Sequence, residues 1–167
     1  MTMSMYQASV PIFLQSLNAL THILDKASAQ AVARKFEPAA ILNARLFPDM
    51  FPFVKQVQIA ADFAKNTPAR LAGAEIPRFE DNETSFEHLM ARVARTLDYV
   101  KTFKPAQIDG SEDREISLSV GGQPRSFKGQ AFLQHFALPN FFFHYASAYA
   151  ILRHNGIELG KRDFIDG

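Results

Sequence analysis

Two polar residues, Asn140 and His144, interrupt the most apolar stretch of the chain, which runs from Phe127 to Gly156. Residues four apart lie on one face of a helix, one turn from each other. Buried polar groups normally find hydrogen-bond partners, so a neighbouring helix could satisfy both side chains. Alternatively, the pair binds a ligand or is the remnant of a metal site. Two histidines at this spacing would indicate a metal more strongly, because an amide is a poor ligand for zinc.

The stretch that carries this pair is predicted to be the last and central helix, over residues 130–155. Its phenylalanines and Ile151 recur at helical spacing, and apolar residues on nearly all sides indicate a helix covered by its neighbours. Pro139 removes an amide donor and crowds the carbonyl of His135. It predicts either a kink or a helix that restarts at the proline.

Composition limits the class of protein. The 167 residues carry a formal net charge of +1, with sixteen phenylalanines and no cysteine. The length fits a single domain over residues 1–167, and the charge gives no indication of nucleic-acid binding. Lack of cysteine excludes disulfides, thiolate metal sites and a cysteine nucleophile. Without a signal peptide or roughly 18 consecutive apolar residues for a membrane span, the expected location is the cytoplasm.

Three further helices and a β-hairpin are predicted to surround the central helix. Apolar periodicity places the helices at residues 4–33, 49–66 and 84–103, with Ser4 or Thr2 as a possible first cap. Alternation of apolar residues, followed by a Gly-Gly pair, predicts a hairpin at residues 115–128. The predicted fold class is therefore all-α, with a small hairpin between the third and fourth long helices.

Several other polar residues have two possible roles. Asp49 is placed either to cap the second helix or to face the site, and Gln56 either makes a structural hydrogen bond or belongs to the site. Arg92 and Arg95 are expected on a solvated helix face. No phosphate-binding loop, nucleophile elbow, HExxH or EF-hand pattern is present, so no reaction follows from the motifs.

Three segments carry a resemblance to a known family: LFPDMFPFVKQVQIAADFAK (46–65), ALPNFFFHYASAYAILRHNG (137–156) and LGKRDF (159–164). They resemble an uncharacterised bacterial family within the DinB/YfiT-like four-helix-bundle superfamily, and the likeness covers essentially the whole chain. The resemblance implies an up-down-down-up bundle and frequent homodimers. In many members it also implies a metal held by one histidine of helix 2 and two of helix 4. Metal-dependent relatives include S-transferases that use mycothiol or bacillithiol, and glutathione-dependent isomerases.

The resemblance transfers only part of that metal site. His144 resembles the second histidine of helix 4, whereas Asn140 stands in the place of the first. On helix 2, Asp49 or Gln56 lies where a histidine would be expected. Only one of three ligands is retained, and a catalytic zinc normally has three protein ligands.

The expected protein is therefore a homodimer without a bound cofactor, which binds a small ligand or a partner, and neither nucleic acid nor membrane. Its polar pocket is expected to be lined by His144, Asn140, Gln56 and Tyr145 or Tyr149. One alternative is an S-transferase or hydrolase that holds a divalent metal, zinc or nickel, through His144, Asp49 and Asn140. Another is a structural or interaction protein in which His144 is a satisfied core residue.

Overall fold

In the computed structural model, which describes residues 3–167, most of the chain is helical and one antiparallel pair of strands is present. The long helices are α1 (Val10–Arg34), α3 (Phe53–Ala72), α4 (Phe86–Val100) and α7 (Leu138–His154). The short ones are α2 (Pro38–Leu42), α5 (Pro105–Ile108), α6 (Gly129–Phe132) and α8 (Lys161–Ile165). The strands are β1 (Glu115–Val120) and β2 (Gln123–Lys128).

Prolines decide where two of the predicted helices begin. Helix α1 begins at Val10 and not at residue 4, with Ser9 at its N-cap and Pro11 in its first turn, where a missing amide costs nothing. The alternative cap Thr2 lies outside the described residues. Helix α3 begins at Phe53 because Pro52 holds the N-cap position with an extended backbone. It then continues through Pro68 to Ala72, six residues beyond its predicted end.

Aromatic contacts join the long helices into one core. The rings of Phe13 and Phe141 meet edge to face at 5.0 Å, which links α1 to α7. Phe53 and Phe86 link α3 to α4. Helix α3 packs on both α4 and α7, and α1 packs on α4 and α8. Edge-to-face aromatic pairs of this kind add to the stabilisation that burial itself provides.

A π-helical turn, Leu133–Ala137, joins α6 to α7 without a break. The amide of Leu138 donates to the carbonyl of Leu133, five residues back. Pro139, which has no amide to donate, lies in the first turn of α7, and the side-chain amide of Asn140 donates to the carbonyl of Phe136 at 2.7 Å. Pro139 thus occupies a first-turn position, where proline is well tolerated, and the wider turn before it continues into α7 without a break. Such turns are frequent at functional sites.

The predicted hairpin is present, with β1 and β2 paired in register from Glu115–Lys128 to Val120–Gln123. Gly121 and Gly122 form the turn with φ of 58° and 79°, a conformation that favours glycine. Along β1, Ile116 is buried and Leu118 and Val120 are half-buried, whereas the alternate serines are exposed. One face of β1 therefore points to the helices. No helix within residues 3–167 combines the length and apolarity needed to cross a membrane.

Candidate functional site

His144 and Gln56 make a direct hydrogen bond between α7 and α3. Nδ1 of His144 lies 2.7 Å from Oε1 of Gln56, and Nε2 of Gln56 donates to the carbonyl of Phe51 at 3.1 Å. Because the amide nitrogen is the donor, the amide oxygen is the acceptor, and Nδ1 of the imidazole carries the proton. Nε2 of His144 is left with a free lone pair.

The surroundings of His144 keep the imidazole neutral. Its ring lies parallel to that of Phe63, with centroids 6.3 Å apart, and meets the ring of Phe143 edge to face at 5.2 Å. Burial in this apolar environment lowers the pKa of His144, because burial disfavours the charged form. A neutral imidazole of fixed tautomer can accept a hydrogen bond or a proton at Nε2.

Three other predicted residues lie apart from this pair. Asp49 is exposed in the loop before α3. The N-cap position of α3 is held by Pro52, and no side chain makes a capping hydrogen bond there. Asp49 therefore does not cap the helix. Tyr145 is buried and its hydroxyl donates to the carbonyl of Phe164 at 2.7 Å; burial raises its pKa. The ring of Tyr149 packs edge to face on the ring of Phe164, with centroids 5.6 Å apart. The two tyrosines therefore hold α8 against α7, and whether any of these three residues binds a ligand stays a prediction.

A cavity of about 350 Å³ lies between α3, the inward face of β1 and the π-helical turn. Of the residues predicted for the pocket, Asn140 lines this cavity, whereas Gln56 and His144 lie one helical turn beyond it. Phe63 forms the wall between them, since its ring contacts both Phe136 at 5.8 Å and His144. The lining comprises Ile59, Asp62, Phe63, Asn66, Thr67, Arg70, Leu118, Ser119, Val120, Gly121, Phe132, Phe136 and Asn140.

Two polar side chains in the cavity lack partners within residues 3–167. Oδ1 of Asn66 is buried without a hydrogen bond. Arg70, one turn further along α3, is half-buried and takes part in none of the ion pairs of the described chain. Desolvation lowers the pKa of Arg70, although a guanidinium stays charged at neutral pH. The mixed apolar and polar lining of the cavity thus includes an unpaired cation and a buried, unpaired acceptor.

Arg92, expected on a solvated face, is instead buried at the centre of an ion-pair cluster, with 2% of its surface exposed. Its guanidinium lies 3.0 Å from carboxylate oxygens of Asp62, Asp81 and Glu83. Burial acts to lower the pKa of Arg92, but the hydrogen bond that its guanidinium donates to Glu83 and the charges of the three acids together raise that pKa above its usual value. The expectation was wrong because these acids lie on α3 and on the loop after it, where helix periodicity in α4 cannot detect them.

Lysines complete the charge balance of this cluster. Lys65 lies 3.2 Å from Asp62, and Lys55 pairs with Asp81. Three cations therefore face three carboxylates, so Asp62 brings no net charge to the cavity that it lines. Arg95, by contrast, is exposed as predicted and lies over the ring of Phe79 at 4.1 Å.

The three-histidine metal site of the superfamily does not fit the side chains present. The amide nitrogen of Asn140 is engaged with Phe136, and the amide oxygen of Gln56 with His144. Asp49 lies in an exposed loop. Within residues 3–167, no group of three or more His, Asp or Glu side chains is placed to hold a metal ion. His144 alone offers one imidazole nitrogen, fewer ligands than a catalytic zinc requires.

Comparison with known proteins agrees with the resemblance drawn from the sequence. The family model described as a domain of unknown function, DUF1993, matches residues 5–165. The crystal structure of a DinB family member protein from Shewanella denitrificans superposes with a TM-score of 0.87 at 38% sequence identity. The match covers 97% of this chain and 92% of that chain. No curated protein matches at a significant level.

Proposed function

The chain belongs to the DUF1993 family of domains of unknown function, within a DinB-like fold, and we propose that it binds a small molecule in the cavity between α3, β1 and the π-helical turn. The observation that carries the proposal is the cavity itself. Its volume of about 350 Å³ lies within the usual range of ligand sites, which are mainly apolar with a few convergent polar groups. Here aromatic and aliphatic side chains share the lining with polar ones, among which Asn66 presents an unpaired acceptor.

We also infer that the four long helices form the up-down-down-up bundle that the resemblance implies. The packing of α3 on α4 and α7, and of α1 on α4, supports it. In that arrangement the hairpin covers one side of the cavity. Asn140 is then the predicted residue that touches the ligand, while the hydrogen bond between His144 and Gln56 holds the wall formed by Phe63.

The divalent-metal S-transferase or hydrolase has less support, because Asp49 lies in an exposed loop and no group of three or more His, Asp or Glu side chains within residues 3–167 is placed to hold a metal. The purely structural alternative predicts that no small molecule enters the cavity. A binding measurement therefore separates it from the proposal.

A titration of backbone amide resonances with benzyl alcohol, a small neutral aromatic probe, tests the proposal. We expect saturable shifts at the cavity face of α3, around Phe63 and Asn66. Val120→Trp places an indole in the cavity and should abolish these shifts. Gln123→Trp, on an exposed position of the same hairpin, should leave them intact. Unsaturable shifts, or saturable shifts that persist in Val120→Trp, would show that the probe does not occupy this cavity.

A further inference from the structure

Arg70 is a charged group whose surroundings in the chain do not satisfy it. It is half-buried, lines the cavity, and belongs to no ion pair among residues 3–167. Its place in the last turn of α3 is favourable for a cation near the negative end of the helix dipole. The helix dipole accounts for a cation at this end of α3. It does not account for placing that cation in a cavity beside aromatic rings, because a desolvated charge is costly unless it is paired.

The guanidinium group recognises a particular kind of partner. Its planar fork donates two parallel hydrogen bonds to a carboxylate or a phosphate. Asp62, which also lines the cavity, precedes Arg70 by eight residues along α3 and is neutralised by Arg92 and Lys65. The uncompensated charge in the cavity is therefore positive, which favours an anionic ligand and disfavours a cationic one.

Asn66 adds a second requirement for the ligand, a hydrogen-bond donor close to the anionic group that Arg70 binds. It precedes Arg70 by four residues, so the two side chains are neighbours on one helix face, with about 5–6 Å between their Cβ atoms. Oδ1 of Asn66 is buried and unpaired, and leaving a buried acceptor unpaired is unfavourable. A ligand that pairs with Arg70 and also carries an N–H or O–H group a few bonds away would satisfy both.

We propose, resting on the function proposed above, that the cavity selects a small organic carboxylate with an apolar body and a hydroxyl or amino group near the carboxylate. Arg70 binds the carboxylate, Asn66 accepts from the hydroxyl or amino group, and the apolar body contacts Phe63, Phe132 and Phe136. Each of these residues lines the cavity.

Mandelate is a suitable probe because it combines a phenyl ring, a carboxylate and a neighbouring hydroxyl. Titrations of the full chain at constant ionic strength would compare it with mandelamide, which lacks the charge, and phenylacetate, which lacks the hydroxyl. We expect mandelate to bind about ten-fold or more tightly than mandelamide, as for other hydrogen bonds to charged groups. Phenylacetate should bind less tightly than mandelate.

Variants identify the groups responsible. Arg70→Gln should remove the preference for mandelate over mandelamide while mandelamide still binds, and Arg70→Lys should keep only part of it, because an ammonium lacks the fork. Arg153→Gln, an exposed arginine near the end of α7, serves as the charge control. Asn66→Ala should remove the preference for mandelate over phenylacetate. Amide spectra establish that each variant is folded, and Arg70→Lys keeps the test informative if Arg70→Gln does not fold.

The outcomes separate this inference from the function on which it rests. Equal affinity for mandelate and mandelamide, or a preference that survives Arg70→Gln, would overturn the anion specificity and leave a cavity that binds neutral molecules. Inorganic phosphate that displaces mandelate at similar concentration would show that the apolar body contributes nothing, which also overturns the inference. Failure of benzyl alcohol and mandelamide alike to enter the cavity would refute the proposed function itself.

Discussion

At the scale of single residues, His144 makes the stability of the fold depend on pH. Its pKa is lowered by burial, whereas an unfolded histidine titrates near pH 6.5. Between the two pKa values the unfolded chain binds more protons, so stability rises with pH through this window. The contribution is complete above about pH 6.5 and is lost as the pH falls towards the native pKa.

Urea unfolding at several pH values between about 5 and 7 would reveal this contribution. We expect the free energy of unfolding to decrease on acidification, and the decrease to be smaller in His144→Gln than in the native chain. His154→Gln alters an exposed histidine on the same helix and should leave the slope unchanged. A resonance of His144 that titrates at or above pH 6.5 would contradict the assignment.

At the residue scale, the sequence singles out polar groups that lie within an apolar pattern, but it does not reveal partners that are distant in sequence. Asn140 and His144 stand out because they interrupt an apolar helix. Arg92 does not, since it borders the apolar stripe of α4 and its acids lie up to 30 residues away. The acidic run of Glu80, Asp81 and Glu83 is visible in the sequence, but it indicates partners for Arg92 only if the loop folds back on α4.

At the scale of elements, Gly129 fixes the start of α6 against the loop before β1. A Cβ atom at this position would lie 2.0 Å from the backbone carbonyl oxygen of Ser111, and the next amide, of Gln130, donates to the carbonyl of Glu112 at 2.9 Å. Because the obstacle is backbone, Gly129→Ala must displace α6 or the loop. We expect a loss of roughly 1–3 kcal/mol in the free energy of unfolding, as for other overpacked sites.

Denaturant unfolding of Gly129→Ala beside Gln130→Ala measures that loss. Gln130 is exposed, and its replacement should change stability by less than about 0.5 kcal/mol. The displacement should also alter the hairpin and so shift the amide resonances of the residues on β1 that line the cavity. Equal stability of the two variants would show that the contact with Ser111 relaxes freely.

The elements differ in how well local patterns specify them. Alternation and a Gly-Gly turn determine the hairpin, whose bounds of 115–128 agree with β1 and β2. The end of α3 was missed because Pro68 suggests a break, whereas the helix continues through it. That error placed Arg70 in a loop and hid the face it shares with Phe63 and Asn66. In a helix extended to Ala72, the spacing of these three residues indicates one shared face.

At the scale of the whole molecule, the large exposed apolar side chains that lie close to one another fall in two segments. They are Leu46, Phe47 and Phe51 in the loop before α3, and Phe142 and Phe143 on α7. The segments adjoin, since the carbonyl of Phe51 is bonded to Gln56, which in turn is bonded to His144. Apolar surface gathered in this way commonly marks an interface, and the homodimer implied by the resemblance would cover it.

We expect light scattering at micromolar concentration to give twice the chain mass of 18.7 kDa. Phe143→Ser, at a position 57% exposed, should shift the protein towards the monomer, because two-fold contacts place each substituted residue in the interface twice. Val32→Ser removes an apolar side chain that is 77% exposed on α1 and should leave the mass unchanged. A single-chain mass for the native protein would refute the dimer. Dissociation by Val32→Ser, with Phe143→Ser still dimeric, would place the interface on α1 instead.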